Sequence, residues 1–358
     1  MSGSNETFRR PRCRLVIAGN VIGGCHSVEL MTSSFGQAGS FFVQLANRGG
    51  SVGGDSAWYD AETIDASIQM GFLPPGMPEG STGWQEMMSG RVDRIRLDPV
   101  SGTMMLEGRD YAARLLDLPI TENFLNNSSS EVAQQLADRC GLSATIDDTV
   151  AMIGQYYQIE HARSALTRFS RFSTAWDLLC NLAQLEQFDV WVSGSTLYFQ
   201  ASKTSSQDIR NVTFQSADQD HAAPLLNLSS LELERTLALS GGLPVSVSSW
   251  NSRQRKRIVA SAGSGSSNAA AVVNIVRPNL LADTAQSLAN GVYSQTAGHE
   301  RTLSGRMPGD LTLSPRDGIR LSGVSRIWDG NYRVESVERE MSAAGGFTQR
   351  FTAKTISA

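Results

Sequence analysis

Apolar and polar residues alternate in short runs toward both ends of this chain, and apolar residues recur every three or four positions in its middle. Period two marks half-buried strands, and period near 3.6 marks amphipathic helices. Residues 64–70 set Ile64, Ala66, Ile68 and Met70 on one side. Residues 14–17, 24–30 and 40–45 read as further strands, and the Gly- and Pro-rich stretch 72–84 reads as a loop. Residues 89–117, SGRVDRIRLDPVSGTMMLEGRDYAARLLD, give a strand, a turn at Asp98-Pro99 with Gly102, a second strand, and then Gly108-Arg109-Asp110 opening a helix. Toward the C-terminus, residues 229–237, 245–250, 311–313, 319–321, 332–337 and 347–353 read as strands between Pro, Gly and Asp turns.

The middle changes period. In residues 128–141, Ser128 and Glu131 form a capping box, Val132, Leu136 and Cys140 share a face, and Gly141 sits at the C-terminal stop. Residues 173–187 form a second helix capped by Ser173, with Trp176, Leu179, Cys180 and Ala183 on one face. A hairpin at 188–192 and 196–200 follows it. A further helix spans 283–297 with Asp283 as its cap. The expected fold class is mainly β with α+β character, as two tube-like β-barrel domains and a small α/β middle domain. The expected units are a first barrel at 1–108, the α/β unit at 109–201, a connector at 202–228 and a second barrel at 229–358. An inserted loop and helix at about 251–298 interrupt the second barrel.

Composition narrows the function. Lys and Arg total 31 against 35 Asp and Glu, a net charge of −4, which disfavours an overall positive field that clamps nucleic acid. Cys13, Cys25, Cys140 and Cys180 form no CxxC pair, and the reading is of reduced, largely structural thiols. No apolar run reaches the length of a membrane helix, and residues 1–12 lack the apolar core of a signal peptide.

Candidate chemistry is sparse. His26, His161, His221 and His299 fall in no metal-ligand spacing. Gly49–Gly54 lacks the lysine and helix of a phosphate loop. Asp147 and Asp148 are adjacent and point to opposite strand faces, so a turn is the simpler role. Glu160-His161 has no nucleophile context. The basic run RQRKR at 253–257 reads as a solvated strand end or protein interface, and 261–268 as a Gly/Ser tip. In Gly108-Arg109-Asp110, Gly lets the chain leave a strand sharply, Asp110 caps the next helix, and Arg109 pairs across the junction. No catalytic, cofactor-binding or metal residue is assigned.

The order of these pieces resembles the central baseplate hub proteins of phage tails, the late control protein D family, and the related N-terminal part of type VI secretion spikes. The resemblance rests on Gly108-Arg109-Asp110, on Asn127, Ser129 and Val132 at a helix start, and on the Trp176–Leu179 helix before Val192, Gly194 and Leu197-Tyr198-Phe199. It continues in Pro308-Gly309-Asp310, Leu313, Pro315, Asp317, Ile319, Leu321, Gly323, Asp329-Gly330, Tyr332, Val334 and Val337. It covers residues 90–200 and 300–355. The resemblance implies a non-catalytic homotrimer whose paired β units make a pseudo-sixfold ring in the virion tail baseplate. It implies contacts with the tail tube or a distal tail protein, a separate spike protein, the C-terminus of the tape measure protein and baseplate wedge proteins. DNA would cross the lumen without specific binding, past acidic or neutral side chains, and no membrane is involved. The alternatives are a tail-associated cell-wall or polysaccharide hydrolase using a carboxylate pair, and the distal tail ring of a non-contractile tail.

Overall fold

Among the described residues, fourteen strands join into one continuous sheet. The structure, a computed structural model, describes residues 10–46, 60–121, 124, 127–150, 152, 156–159, 162–165, 173–202, 209–217, 223–239, 243–251, 254–263, 272–278 and 280–356. The N-terminal strands are β1 (Arg10–Ile17), β2 (Asn20–Ile22), β3 (Cys25–Ser33), β4 (Ser40–Ala46), β5 (Asp65–Leu73), β6 (Gly83–Asp98) and β7 (Thr103–Asp110). Alternation drives them: Val28 and Leu30 of β3, and Phe41, Val43 and Leu45 of β4, are buried between half-buried or exposed neighbours. They pack with Leu15, Ile68, Met70, Met104 and Leu106 in one core.

The middle unit holds α1 (Ala112–Leu116), α2 (Ser129–Arg139), β8 (Ser143–Ile146), the β9 (Tyr156–Ile159) and β10 (Ala162–Ala165) hairpin, α3 (Ala175–Glu186), β11 (Phe188–Ser193) and β12 (Thr196–Ala201). The capping box of α2 forms as expected. The helices bury Val132, Leu136, Trp176, Leu179 and Leu182 against Leu197 and Phe199 of the β11–β12–β8 sheet.

The C-terminal part contains β13 (Ile209–Gln215), β14 (Leu225–Leu226), β15 (Ser230–Arg235), β16 (Val245–Asn251), β17 (Lys256–Ala262), β18 (Val273–Val276), α4 (Ala282–Gly298), β19 (Arg301–Pro308), β20 (Gly318–Ser322), β21 (Gly330–Ser342) and β22 (Gly346–Thr355). Strands β16–β18 form a separate sheet under α4, inserted between β15 and β19.

Four local expectations change. Gly108-Arg109-Asp110 ends β7 instead of opening a helix; α1 begins at Ala112, and Asp110 accepts its N–H from one residue outside the cap. Thr174, not Ser173, caps α3. Asp283 lies inside the first turn of α4, whose cap position is Leu281. Residues 311–313 are not a strand, because the Asp310 carboxylate accepts the backbone N–H groups of Thr312 and Leu313 and folds a turn. The stretch read as a connector holds β13, which pairs in parallel with β20 from Ile209↔Gly318 to Thr213↔Ser322 and buries Val212 fully.

The sheet carries an internal repeat. In the N-terminal half the ladder runs β1–β5–β6–β7–β4–β3, and in the C-terminal half it runs β13–β20–β21–β22–β19–β15, the same order by chain position. The registers agree residue by residue. A bulge leaves Asp93 extra between Val92 and Arg94 of β6, and Glu335 extra between Val334 and Ser336 of β21. Val92 N–H donates to the Ile64 carbonyl, and Val334 N–H to that of Asp317. Each bulged acid pairs with a base at the matching position of the next strand, Arg109 for Asp93 at 2.7 Å and Lys354 for Glu335 at 2.9 Å. Residues 27–30 read SVEL and their counterparts 230–233 read SLEL. The halves differ in one pairing: β1–β5 is antiparallel and β13–β20 parallel.

Candidate assembly surface

The halves meet where β3 pairs antiparallel with the second half of β21, from Ser27↔Ser342 to Ser33↔Ser336. The result is an antiparallel wall, β15–β19–β22–β21–β3–β4–β7–β6. One face of this wall carries the two apolar cores, over which β5 and β1, and β20 and β13, fold back. The other face is polar and open.

Cross-strand register arranges that open face in rows. One runs Arg94, Glu107, Phe42, Glu29, Glu340, Thr348. A second runs Ser40, Met31, Glu338, Arg350, Arg306, Ser230. A third links Ser33, Ser336, Thr352, Ser304 and Glu232. A concavity of about 720 Å³ lies over the join of the two halves, lined by Glu29, Glu232, Glu338, Glu340, Arg306 and Arg350 among others. Glu107 accepts from Arg94 and Arg96, at 3.3 and 2.7 Å. Glu29 stands directly opposite Glu340. Like charges facing across strands are destabilising, so the sheet tolerates an acidic centre at its seam.

The seam is braced from beneath. Glu335, 7% exposed at its side chain, accepts from Lys354 and from His299 at 3.0 Å. Burial pushes its carboxyl up, but the bonds from His299 and Lys354 prevail and hold it below the usual range. Arg339 is buried and donates to the Asp310 and Leu313 carbonyls. Desolvation brings its guanidinium down to about 10. Asp110 accepts N–H groups from Gly39 at 2.7 Å and Ala112 at 2.9 Å; burial outweighs both and pushes it up to about 6.

The middle unit is tied to both halves. Trp176 Nε1 donates to the Gly36 carbonyl at 2.6 Å, Arg333 pairs with Asp189, and the Arg316 guanidinium lies 4.2 Å from the Trp191 ring centre. Trp191 in turn stacks on Tyr198.

The residues singled out for chemistry do not converge. Asp147 accepts the Ala201 N–H at 2.9 Å and so fixes the end of β12. Arg109 pairs with Asp93 and Asp117, at 2.7 and 3.4 Å, and joins β6 to the end of α1. In the basic run, Arg255 turns the β16–β17 hairpin at φ 51°, and Lys256 and Arg257 begin β17, exposed. Gly49–Gly54, Glu160-His161, His221 and residues 264–268 lie outside the described residues. Among the described residues, no group of three or more His, Cys, Asp or Glu is placed to hold a metal ion, and no helix is long and apolar enough to cross a membrane. Sequence reasoning missed the wall and its seam; the SVEL and SLEL tetrapeptides were the signal available.

No protein-family model and no curated protein matches the chain. Solved structures do. The tail protein from Neisseria meningitidis MC58 aligns over 97% of this chain and 96% of its own, at TM-score 0.66 and 13% identity. The 43 kDa tail protein of prophage MuSo2 from Shewanella oneidensis aligns over 96% of each chain, at TM-score 0.62 and 14% identity. The E. coli c3393 protein, described as a component of the type VI secretion system similar to T4 bacteriophage tail proteins gp27 and gp5, aligns over 96% of this chain and 77% of its own. Its TM-score is 0.56 and its identity 8%. With its repeated strand order and continuous wall, the chain has the fold shared by these tail proteins and this type VI secretion component.

Proposed function

We propose that this chain is a non-catalytic structural hub of a phage tail baseplate, a homotrimer forming a pseudo-sixfold ring. The observation that carries this reading is the internal repeat: two sheet units with matching strand order and bulges, joined edge to edge in one wall. A chain holding two equivalent units lets three copies present six wall segments to a hexameric tail tube, while its threefold symmetry suits a trimeric spike. The open polar face would line the lumen. Its carboxylates at Glu29, Glu107, Glu232, Glu338 and Glu340 outnumber its guanidiniums at Arg94, Arg96, Arg306 and Arg350, so DNA passes a surface with little attraction for phosphate. The tape measure protein's end occupies that lumen before ejection, and baseplate wedge proteins contact the ring from outside.

The test is native mass measurement of the protein alone and with its tail tube and spike partners, followed by electron microscopy of the assembly. Rings of three chains with the polar face inward are expected. Complexes holding one chain per tube or spike, or a ring with that face outward, would overturn the proposal. Turnover of cell-wall substrate lost on mutating one carboxylate would establish the hydrolase reading instead.

A further inference from the structure

The wall has two ends, and they are different. At one end lies β15, which among the described strands pairs only with β19. At the other lies the second half of β6, which pairs with β7 from Gly90 to Asp98, whereas its pairing with β5 stops at Arg91. No described strand lies against the other edge of residues 94–98. An unpaired strand edge is a template for another strand.

The internal repeat identifies the missing strand. The second half of β6 is the counterpart of the second half of β21, and that edge of β21 is occupied by β3. The counterpart of β3 is β15. The chain therefore makes, once and internally, the contact that its own free ends leave unmade. We propose that β15 of one copy adds antiparallel to the β6 edge of the next copy, in the register β3 adopts on β21. Substituting counterparts places Ile95 opposite Arg235, Arg96 opposite Glu234, and Leu97 opposite Leu233. Arg96 and Glu234 replace Glu338 and Met31 of the internal pair, so the contact between copies gains opposed charges.

Burial supports this assignment. Where the pairing exists within the chain, Val337 is 0% and Arg339 4% exposed; Leu30, the partner of Arg339, is 2% exposed, and Val28, the partner of Met341, is 0%. At the free ends the matching apolar side chains are uncovered: Leu97 is 37% exposed, and Ile95, Leu231 and Leu233 are only partly buried. The two ends of one chain, β15 and β6, are separated by the whole wall, so each needs another copy. Unlike ends make a head-to-tail contact, which closes into a ring when its rotation permits. The inference rests on the ring reading above and specifies its subunit interface.

Cross-linking tests it. Arg96→Cys combined with Glu234→Cys places thiols on directly opposed residues, whose Cα separation in an antiparallel pair suits a disulfide. Mild oxidation should give covalent oligomers ending at the trimer on a non-reducing gel, whereas either single variant gives monomer. Charge reversal gives a second readout in the unlinked protein. Arg96→Glu should weaken assembly about tenfold, and adding Glu234→Arg should restore it. Both side chains are exposed, so folding survives these changes. Trimers by native mass without the specific cross-link, and without rescue by the double reversal, would overturn the strand pairing and leave the ring reading standing. Monomers under all conditions, tail partners included, would overturn both.

Discussion

Changing Lys354 to Met tests whether the bulged acid under the seam is a paired buried charge. Glu335 is 7% exposed and its carboxylate accepts from Lys354 and His299, at 2.9 and 3.0 Å. Removing one partner of a buried pair costs about 3–5 kcal/mol. Lys354 is 19% exposed and His299 remains, so the cost here is about 2 kcal/mol at pH 7. The double change Lys354→Met with Glu335→Gln should recover about half of that, because no uncompensated charge remains. The pH dependence follows from the depressed carboxyl. A lowered folded value contributes stability above the unfolded value of 4.5, and that stability is lost as pH falls below it. The Lys354→Met penalty should therefore be full at neutral pH and shrink below about pH 4. Urea titration followed by circular dichroism at both pH values measures it. An equal penalty at the two pH values, or a double variant as unstable as the single, would refute the reasoning. The repeat supplies a control: Asp93 and Arg109 occupy matching positions but are 33% and 34% exposed, so Arg109→Met in the free chain should cost about 1 kcal/mol at most.

Other consequences are simpler. A Cβ at Gly90 would sit 2.0 Å from the Arg109 carbonyl oxygen, so Gly90→Ala must displace backbone in β6 and β7 and should cost about 2 kcal/mol or more, whereas Gly83→Ala meets nothing within 4 Å and should be near neutral by thermal melting. Trp176→Phe removes the 2.6 Å bond to Gly36 and should lower stability by about 1–2 kcal/mol, read by urea titration. Asp110, raised to about 6 by burial, holds its proton more tightly folded than unfolded, so stability should fall as pH rises from 3.8 to about 6; Asp110→Asn should flatten that slope in a melting series.

The legible parts were those governed by local rules. The capping box at Ser128 and Glu131 and the Ser193-Gly194 hairpin turn follow from backbone groups satisfied within a few residues. The strand β13 was not legible, because Val212 is its one buried residue and the polar Arg210, Asn211 and Thr213 flank it. Asp110 misled because an Asp before a helix can serve either that helix or a distant N–H, and here it serves both Ala112 and Gly39, seventy-one positions away. The SVEL and SLEL tetrapeptides are too short to establish a repeat; their matching registers on β4 and β19 make the equivalence visible.

That so little sequence survives between the halves has a physical reason. The inner face of the wall asks only for apolar volume, so Phe41 and Leu303, or Leu106 and Phe351, can exchange roles at matching positions. The outer face asks only for solvation. The one point requiring particular chemistry is the bulge, where an extra residue faces a crowded neighbouring strand, and there both halves keep an acid paired with a base. The base and acid differ in kind, Arg with Asp in one half and Lys with Glu in the other, and they differ in burial. That second difference reports what covers each bulge. Glu335 lies beside the edge that β3 closes, and Asp93 beside an edge that no described strand closes. His299 at the end of α4 and the neighbouring strand β3 together cover Glu335, whereas Asp93 stands beside the open edge to which the strand left free at the other end of the wall would add.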